Sequence, residues 1–259
     1  MEGAAGEDAG KKGDQCMMEP TRETKQTGEA RGFCIAVDGP AGAGKSTVAR
    51  AAAARLGFLY ADTGALYRAM ALYFLRQGVA AEDEAAIAAA CGKVDVTLSY
   101  DGQGAQQVFL NGENVTGLIR SEAVGNMASA SSACAPVRQK LLELQRSLAA
   151  AHNVIMDGRD IGTCVLPDAQ VKIYLTADPH VRALRRYKEL EQKGQTCNLE
   201  EIEQDIKERD YRDMHREIAP LRQAPDALYV DSSHMTMEEV VRTIAEAAQR
   251  KRREMEAGQ

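Results

Sequence analysis

The stretch Phe33-Cys34-Ile35-Ala36-Val37-Asp38, followed at once by Gly39-Pro40-Ala41-Gly42-Ala43-Gly44-Lys45-Ser46-Thr47, decides the fold. An apolar run ending in an acid reads as a strand buried on both faces. Gly39 to Ser46 matches G-x-x-x-x-G-K-[ST] at every fixed position. Ser46 to Leu56 is rich in Ala and Val, puts Arg50 and Arg55 on one face and closes at Gly57, as a helix does. In the order strand, glycine loop, helix, successive loop N–H groups surround a phosphate, and the helix N-terminus adds its positive dipole end. Lys45 is then placed for the β- and γ-phosphates of a nucleoside triphosphate, and the Ser46 hydroxyl for Mg²⁺.

Outward from this loop the pattern stays α/β. Phe58 to Ala61 predicts a second strand, and Gly64 to Arg76 a helix ending at Gly78. From about Lys93 to Gly117 the period becomes alternating, with Val94, Val96 and Leu98, then Val108 and Leu110 before the turn pair Asn111-Gly112. That predicts a small antiparallel sheet inserted in the α/β frame. Ser121 to about Ala151 reads as helix broken near Pro136, and strands follow at Asn153 to Asp157 and Val171 to Leu175. Helices are predicted over Pro179 to Lys193, Leu199 to about Arg216 and Met237 to Glu254, with a last strand at Ala227 to Val230.

Composition narrows the class. The chain has 259 residues, 44% hydrophobic and 27% charged, with a net charge of −6. That length holds one large α/β domain or two ordinary ones. The acidic balance argues against a general nucleic-acid binder, which carries a basic face. No apolar run approaches the roughly 18 residues of a membrane span, so neither a membrane nor a nucleic acid is expected as partner, and the chain is read as a cytoplasmic monomer. Six scattered cysteines without C-x-x-C fit reduced thiols rather than disulfides or zinc. Residues 1–31 carry too few large apolar side chains to offset ordering entropy and are expected to be a disordered extension.

A phosphate loop leaves the acceptor open: water, a metabolite, a nucleotide, or nothing in a binding switch. Three further clusters bear on it. Asp62-Thr63-Gly64-Ala65-Leu66-Tyr67-Arg68 sets Arg68 on the first turns of a helix, within reach of a phosphate. Asp157-Gly158-Arg159-Asp160 follows a strand's carboxyl end, where open parallel sheets bind ligands. Arg209, Arg212, Asp213 and Arg216 fall at i, i+3, i+4 and i+7, one stripe of a helix. Asp38 and Asp157 both end strands at that edge, and either could orient a Mg²⁺ shell through water; Asp157 is the better placed.

With these four motifs in order from about Phe33 to the C-terminal helix, the sequence resembles the bacterial-type cytidylate (CMP) kinases of the nucleoside monophosphate kinase group. The resemblance implies a P-loop three-layer fold with a central parallel sheet, helices on both faces, the antiparallel insert in a monophosphate-binding domain, and a helical lid. It divides residues 32–259 into a core (32–63 and 152–259), an insert (about 64–151) and a lid (about 187–208, around Gly194). It implies Mg²⁺-assisted, in-line transfer of the γ-phosphoryl group from ATP to CMP and dCMP, in pyrimidine nucleotide metabolism. Carried over by position, Arg68, Arg159, Arg209 and Arg216 look like ligands of the acceptor phosphate or the transferring group. Thr63, Arg138, Asp160 and Arg216 look like the cytosine pocket, and Ser129, Arg209 and Asp213 like sugar contacts. Arg185 and Arg186 resemble donor-side arginines, so that Gly39 to Thr47 with this pair form the ATP site. Lys45, Arg159, Arg186 and Arg209 form the catalytic set.

Overall fold

The strand ahead of the phosphate loop, β1 (Cys34–Asp38), is buried along its whole length because both its faces meet apolar partners. The structure, a computed structural model, describes residues 32–258, so the expectation for residues 1–31 and the place of Cys16 lie outside it. Four more strands, β2 (Leu59–Asp62), β6 (Val154–Gly158), β7 (Val171–Thr176) and β8 (Leu228–Asp231), join β1 in the order β2-β6-β1-β7-β8. Every pairing in this sheet is parallel. The separate three-stranded sheet, β3 (Val96–Tyr100), β4 (Gln106–Leu110) and β5 (Glu113–Asn114), is antiparallel.

Alternation along β1 separates two layers of core. Ile35 and Val37 pack with Ile173 and Leu175 under the helices α1 (Lys45–Leu56) and α8 (Met237–Ala257). Cys34 and Ala36 face the other way, with Val154, Met156, Ile161 and Val165. A third cluster, from Ala65 to Leu141, is built by α2 (Thr63–Arg76), α3 (Glu84–Cys91), α4 (Glu122–Ser131), α5 (Ala135–Ala151) and the antiparallel sheet. Gln106 ties that sheet to the main one, accepting from the Asp62 amide at 2.8 Å and donating to its carbonyl at 3.2 Å. The helices α6 (Pro179–Gln192) and α7 (Leu199–His215) follow β7, joined through Gly194, which turns at φ +72.

Three local details differ from the sequence reading. The break before α5 falls at 132–134, and Pro136 sits in the first turn of that helix, where its missing N–H costs nothing. Helix α3 had no predicted counterpart: eight residues, mostly alanine, carry little periodicity, and the Asp83 cap on the Ala86 amide fixes its start. Between β6 and β7 the chain makes a π-helical turn, Ile161–Val165, in a segment for which the sequence predicted no helical element.

Candidate functional site

Three neighbouring strands carry an acid at or next to their last residue, leaving Asp38, Asp62 and Asp157 buried at the carboxyl edge of the sheet. A cavity of about 480 Å³ opens above them, walled by the phosphate loop, the first turns of α1 and α2, α4, the segment after β6, and α6 and α7. Such a crevice outside the carboxyl ends is where open α/β sheets take ligands.

At one end lies the loop. Gly39 is obligatory there, because a Cβ would stand 1.9 Å from the Leu175 carbonyl oxygen. Gly44 turns the chain into α1 at φ +84. Ala41, Gly42, Gly44, Lys45, Ser46 and Thr47 face the cavity, whereas Gly39, Pro40 and Ala43 are not on its wall. The buried Lys45 ammonium donates to the Pro40 carbonyl at 2.7 Å. Burial, reinforced by the Arg159 charge, lowers its pKa to about 7. Ser46 Oγ donates to Asp157 Oδ2 at 2.8 Å, and the Tyr60 hydroxyl donates to Asp157 Oδ1, also at 2.8 Å. Burial, then the neighbouring Asp62 charge, pushes the Asp157 carboxyl above its ordinary value. Asp38, the alternative metal-orienting acid, is committed elsewhere: its two oxygens accept from the Ile161 and Gly162 amides at 2.7 Å each.

At the other end Arg138 and Arg216 hold Asp160 from two sides, Arg138 on Oδ2 and Arg216 on Oδ1 at 3.3 Å. Arg216 also donates to the Ser132 hydroxyl, which donates to the Ser129 carbonyl. Thr63 Oγ1 donates to the Asp157 carbonyl at 2.7 Å, so its hydroxyl faces the cavity as an acceptor. Arg159 Nε donates to Asp213 Oδ2 at 2.7 Å. Burial opposes ionisation of Asp213, but the charges of Arg159, Arg209 and Arg216 outweigh it and hold this carboxyl below the usual range.

Between the two ends stand Arg68 and Arg209. Arg68 Nη1 and Arg209 Nε are buried without a hydrogen-bond partner, and burial lowers both pKa values. Asp62 does not satisfy Arg68, because it caps α2 through the Ala65 amide and pairs with Arg120 at 2.7 Å, leaving Arg68 at 3.9 Å. Unpartnered buried guanidinium N–H groups are costly unless a ligand supplies the acceptor. Planar, charged donors of this kind fit phosphate.

Every residue that the sequence placed on the acceptor side, from Thr63 and Arg68 to Arg216, lines this one cavity. Arg185 and Arg186 line it too, although Arg185 is tied to the Ser232 carbonyl at 2.7 Å and Arg186 pairs with Glu189 at 3.0 Å on the rim. Arg212 of the helical stripe is left outside, exposed. Sequence reasoning missed Arg182. This buried guanidinium donates to the carbonyls of Ala177 and of Ala41 in the loop, at 2.8 and 2.9 Å, and pairs with Asp210 at 2.7 Å. The signal was present: Arg182, Arg185 and Arg186 stand at i, i+3 and i+4 on α6. Tyr60 carried no such signal, since an aromatic in a strand reads as core.

Known proteins agree with what the cavity displays. The cytidylate kinase family model matches residues 35–250. The cytidylate kinase of Geobacter sp. (strain M21) is 48% identical over 210 residues, covering 81% of this chain and 90% of that protein. That of Pelotomaculum thermopropionicum is 48% identical over 220 residues, 85% of this chain and 97% of the other. That of Lactobacillus gasseri is 47% identical over 219 residues, with 85% and 95% covered. A match through the phosphate loop, the arginine cluster and the closing helix alike places the whole described fold in one lineage: the chain belongs to the cytidylate kinase family.

Proposed function

We propose that this chain transfers the γ-phosphoryl group of ATP to CMP and dCMP, releasing ADP and the nucleoside diphosphates, in pyrimidine nucleotide metabolism. The observation that carries the proposal is the single cavity joining a phosphate loop to the Arg138–Asp160–Arg216 group, with the unpartnered Arg68 and Arg209 nitrogens between them.

Within the loop over Gly39 to Thr47, the N–H groups that face the cavity, from Ala41 on, and the Lys45 ammonium hold the donor phosphates, with Arg185 and Arg186 on the same side. Lys45 exchanges the Pro40 carbonyl for phosphate oxygens, whose negative charge favours the ammonium form that burial disfavours. Arg68, Arg159 and Arg209 take the acceptor phosphate, and Arg159, Arg186 and Arg209 meet charge that spreads over the equatorial oxygens during transfer. Ser129, Arg209 and Asp213 face the sugar. Asp160 accepts from the cytosine amino group while Arg138 and Arg216 donate to O2 and N3, with Thr63 beside them. Uracil would set O4 against the carboxylate, so CMP is preferred to UMP. The core over 32–63 and 152–259 carries the donor loop, the insert over 64–151 the acceptor, and the lid over 187–208 closes about Gly194 to exclude water.

The Ser46–Asp157 pair suits magnesium, since it offers only hard oxygen donors at the rim of the phosphate loop. No group of three or more His, Cys, Asp or Glu among the described residues could hold a metal alone, so the ion would depend on the oxygens of the bound nucleotide for the rest of its shell. Ser46 would hold the ion directly and Asp157 through water; bound there, it would supply neutralisation of charge on the β- and γ-phosphates. The chain works on these small molecules as a cytoplasmic monomer without nucleic acid or membrane, a reading supported by its net charge of −6, against the basic face a nucleic-acid binder carries, and by helices that among the described residues are nowhere long and apolar enough to cross a membrane.

The test is ADP release from ATP and magnesium with CMP, dCMP, UMP, AMP or no acceptor. CMP and dCMP should far exceed UMP and AMP. In Lys45→Ala, turnover should fall by about 10²–10³-fold with little change in thermal midpoint, because the ammonium is desolvated and meets only a carbonyl. Stimulation by no acceptor would remove the kinase reading.

A further inference from the structure

Asp38 is the last residue of β1 and the one before the phosphate loop, yet its carboxylate points away from the loop. Its two oxygens accept from Ile161 and Gly162, the first two residues of the π-helical turn that follows Arg159 and Asp160. Those amides have no partner within the turn, because its own bonds begin at Cys164 and Val165, which donate to the Asp160 carbonyl. One buried side chain therefore replaces what a longer helix would leave to solvent or to a neighbouring cap.

The segment so held has little room to find another position. A Cβ on Gly158 would meet Ile161 Cδ1 at 2.7 Å and Thr63 Oγ1 at 2.9 Å. One on Gly162 would meet Lys172 Cδ at 3.1 Å and Asp38 Oδ2 itself at 3.3 Å. Arg159 and Asp160, between these two glycines, send their side chains to Asp213 and to Arg138 with Arg216. The carboxylate that starts the donor loop thus bolts down the segment carrying two acceptor-side groups.

We propose that Asp38 is a positioning residue that sets the place of Arg159 and Asp160 relative to the phosphate loop, and through them the acceptor's affinity and base selection. It touches neither nucleotide. The proposal rests on the cytidylate kinase reading above, and it adds a residue that acts across the two halves of the cavity. Asp38→Asn keeps the shape but turns an NH₂ group towards one of the two amides. Gly162→Ala presses on the same contact from the other partner, with Asp38 intact.

Each variant is measured for thermal midpoint, for ATP binding without acceptor, and for kcat and KM with CMP and with UMP. Expected is a rise in the KM for CMP, a fall in kcat/KM for CMP of about tenfold or more and a narrowed CMP:UMP ratio, with ATP binding within about twofold of wild type. A folded Asp38→Asn with unchanged CMP kinetics and CMP:UMP ratio would overturn the proposal. So would an equal loss of ATP and CMP affinity, which would make Asp38 a support of the loop alone. A loss confined to Asp38→Asn, with Gly162→Ala at wild-type values, would also overturn it. Failure of the underlying reading is distinguishable, since the wild-type chain would then release no ADP in response to CMP.

Discussion

Ser46 Oγ and Asp157 Oδ2 are joined by a 2.8 Å hydrogen bond across two strands of the sheet, one group from the phosphate loop and the other from the carboxyl end of β6. The Tyr60 hydroxyl holds the opposite oxygen of Asp157, so the carboxylate is fixed from both sides. Removing either end of the pair should weaken magnesium use before it weakens the fold. In Ser46→Ala and Asp157→Asn the magnesium concentration for half-maximal ADP release should rise, with a drop in saturated turnover on the order of 10²-fold for Ser46→Ala. An unchanged magnesium titration in both would take the pair out of the metal site.

Asp160 answers to two guanidinium groups, and its removal has two effects. Arg138 and Arg216 lose their shared acceptor, at a cost of about 1–3 kcal/mol. The cavity also loses its acceptor for an amino group. Asp160→Ala should narrow the CMP:UMP ratio in a competition assay; a preserved ratio would assign base selection elsewhere.

Arg182 spans three segments of chain through the Ala41 and Ala177 carbonyls and the Asp210 carboxylate. Truncation leaves Asp210 buried and unpaired, and breaking such a pair costs about 3–5 kcal/mol. Arg182→Ala should therefore lower the thermal midpoint by roughly 2–4 °C for each kcal/mol lost and weaken ATP binding through the loop. Arg182→Ala,Asp210→Asn should recover part of the midpoint but not the ATP affinity, a split read by calorimetry and a binding titration.

Burial raises the Asp38 carboxyl from 3.8 to about 6, against the pull of its two amide donors, with Asp160 raising it further and Lys45 lowering it. The folded chain then binds a proton at this site that the unfolded chain has released. Stability from the group is present below the unfolded value and is lost as pH rises through about 6. Asp38→Asn lacks this titration, so the midpoint of the wild type should gain on that of the variant as pH falls from about 7 to about 5. A difference that stays flat would put Asp38 at its ordinary value.

The loop and its flanking strand and helix were legible because backbone chemistry constrains them: Gly39 has a carbonyl against it and Gly44 a positive φ. The arginines were legible as residue types at helical spacing, and Arg68, Arg209 and Arg216 do meet in one cavity. Their pairing was not, since it depends on which carboxylates are already spent, as Asp62 is on Ala65 and Arg120. Tyr60 and Arg182 went unseen for a related reason. Their partners are 97 and 141 positions away in sequence, for Asp157 and Ala41 respectively; the helical spacing with Arg185 and Arg186 marks Arg182 as one of a set, but no local pattern encodes what either side chain holds. The π-helical turn was hidden too, because its cap comes from Asp38, 123 positions earlier in the sequence.

The strand order also sets a schedule for synthesis. β1 leaves the ribosome well before both its neighbours, β6 and β7, as the 120-residue span between Phe33 and its partner Asn153 illustrates. Meanwhile the cluster from Ala65 to Leu141 is made from contiguous chain and has a core of its own. It is able to condense first, and since it lies between β2 and β6 in sequence it shortens the loop those two strands must close. The nucleotide loop is thus synthesised ahead of both strands that flank β1, and it waits for them before it gains the sheet that holds it.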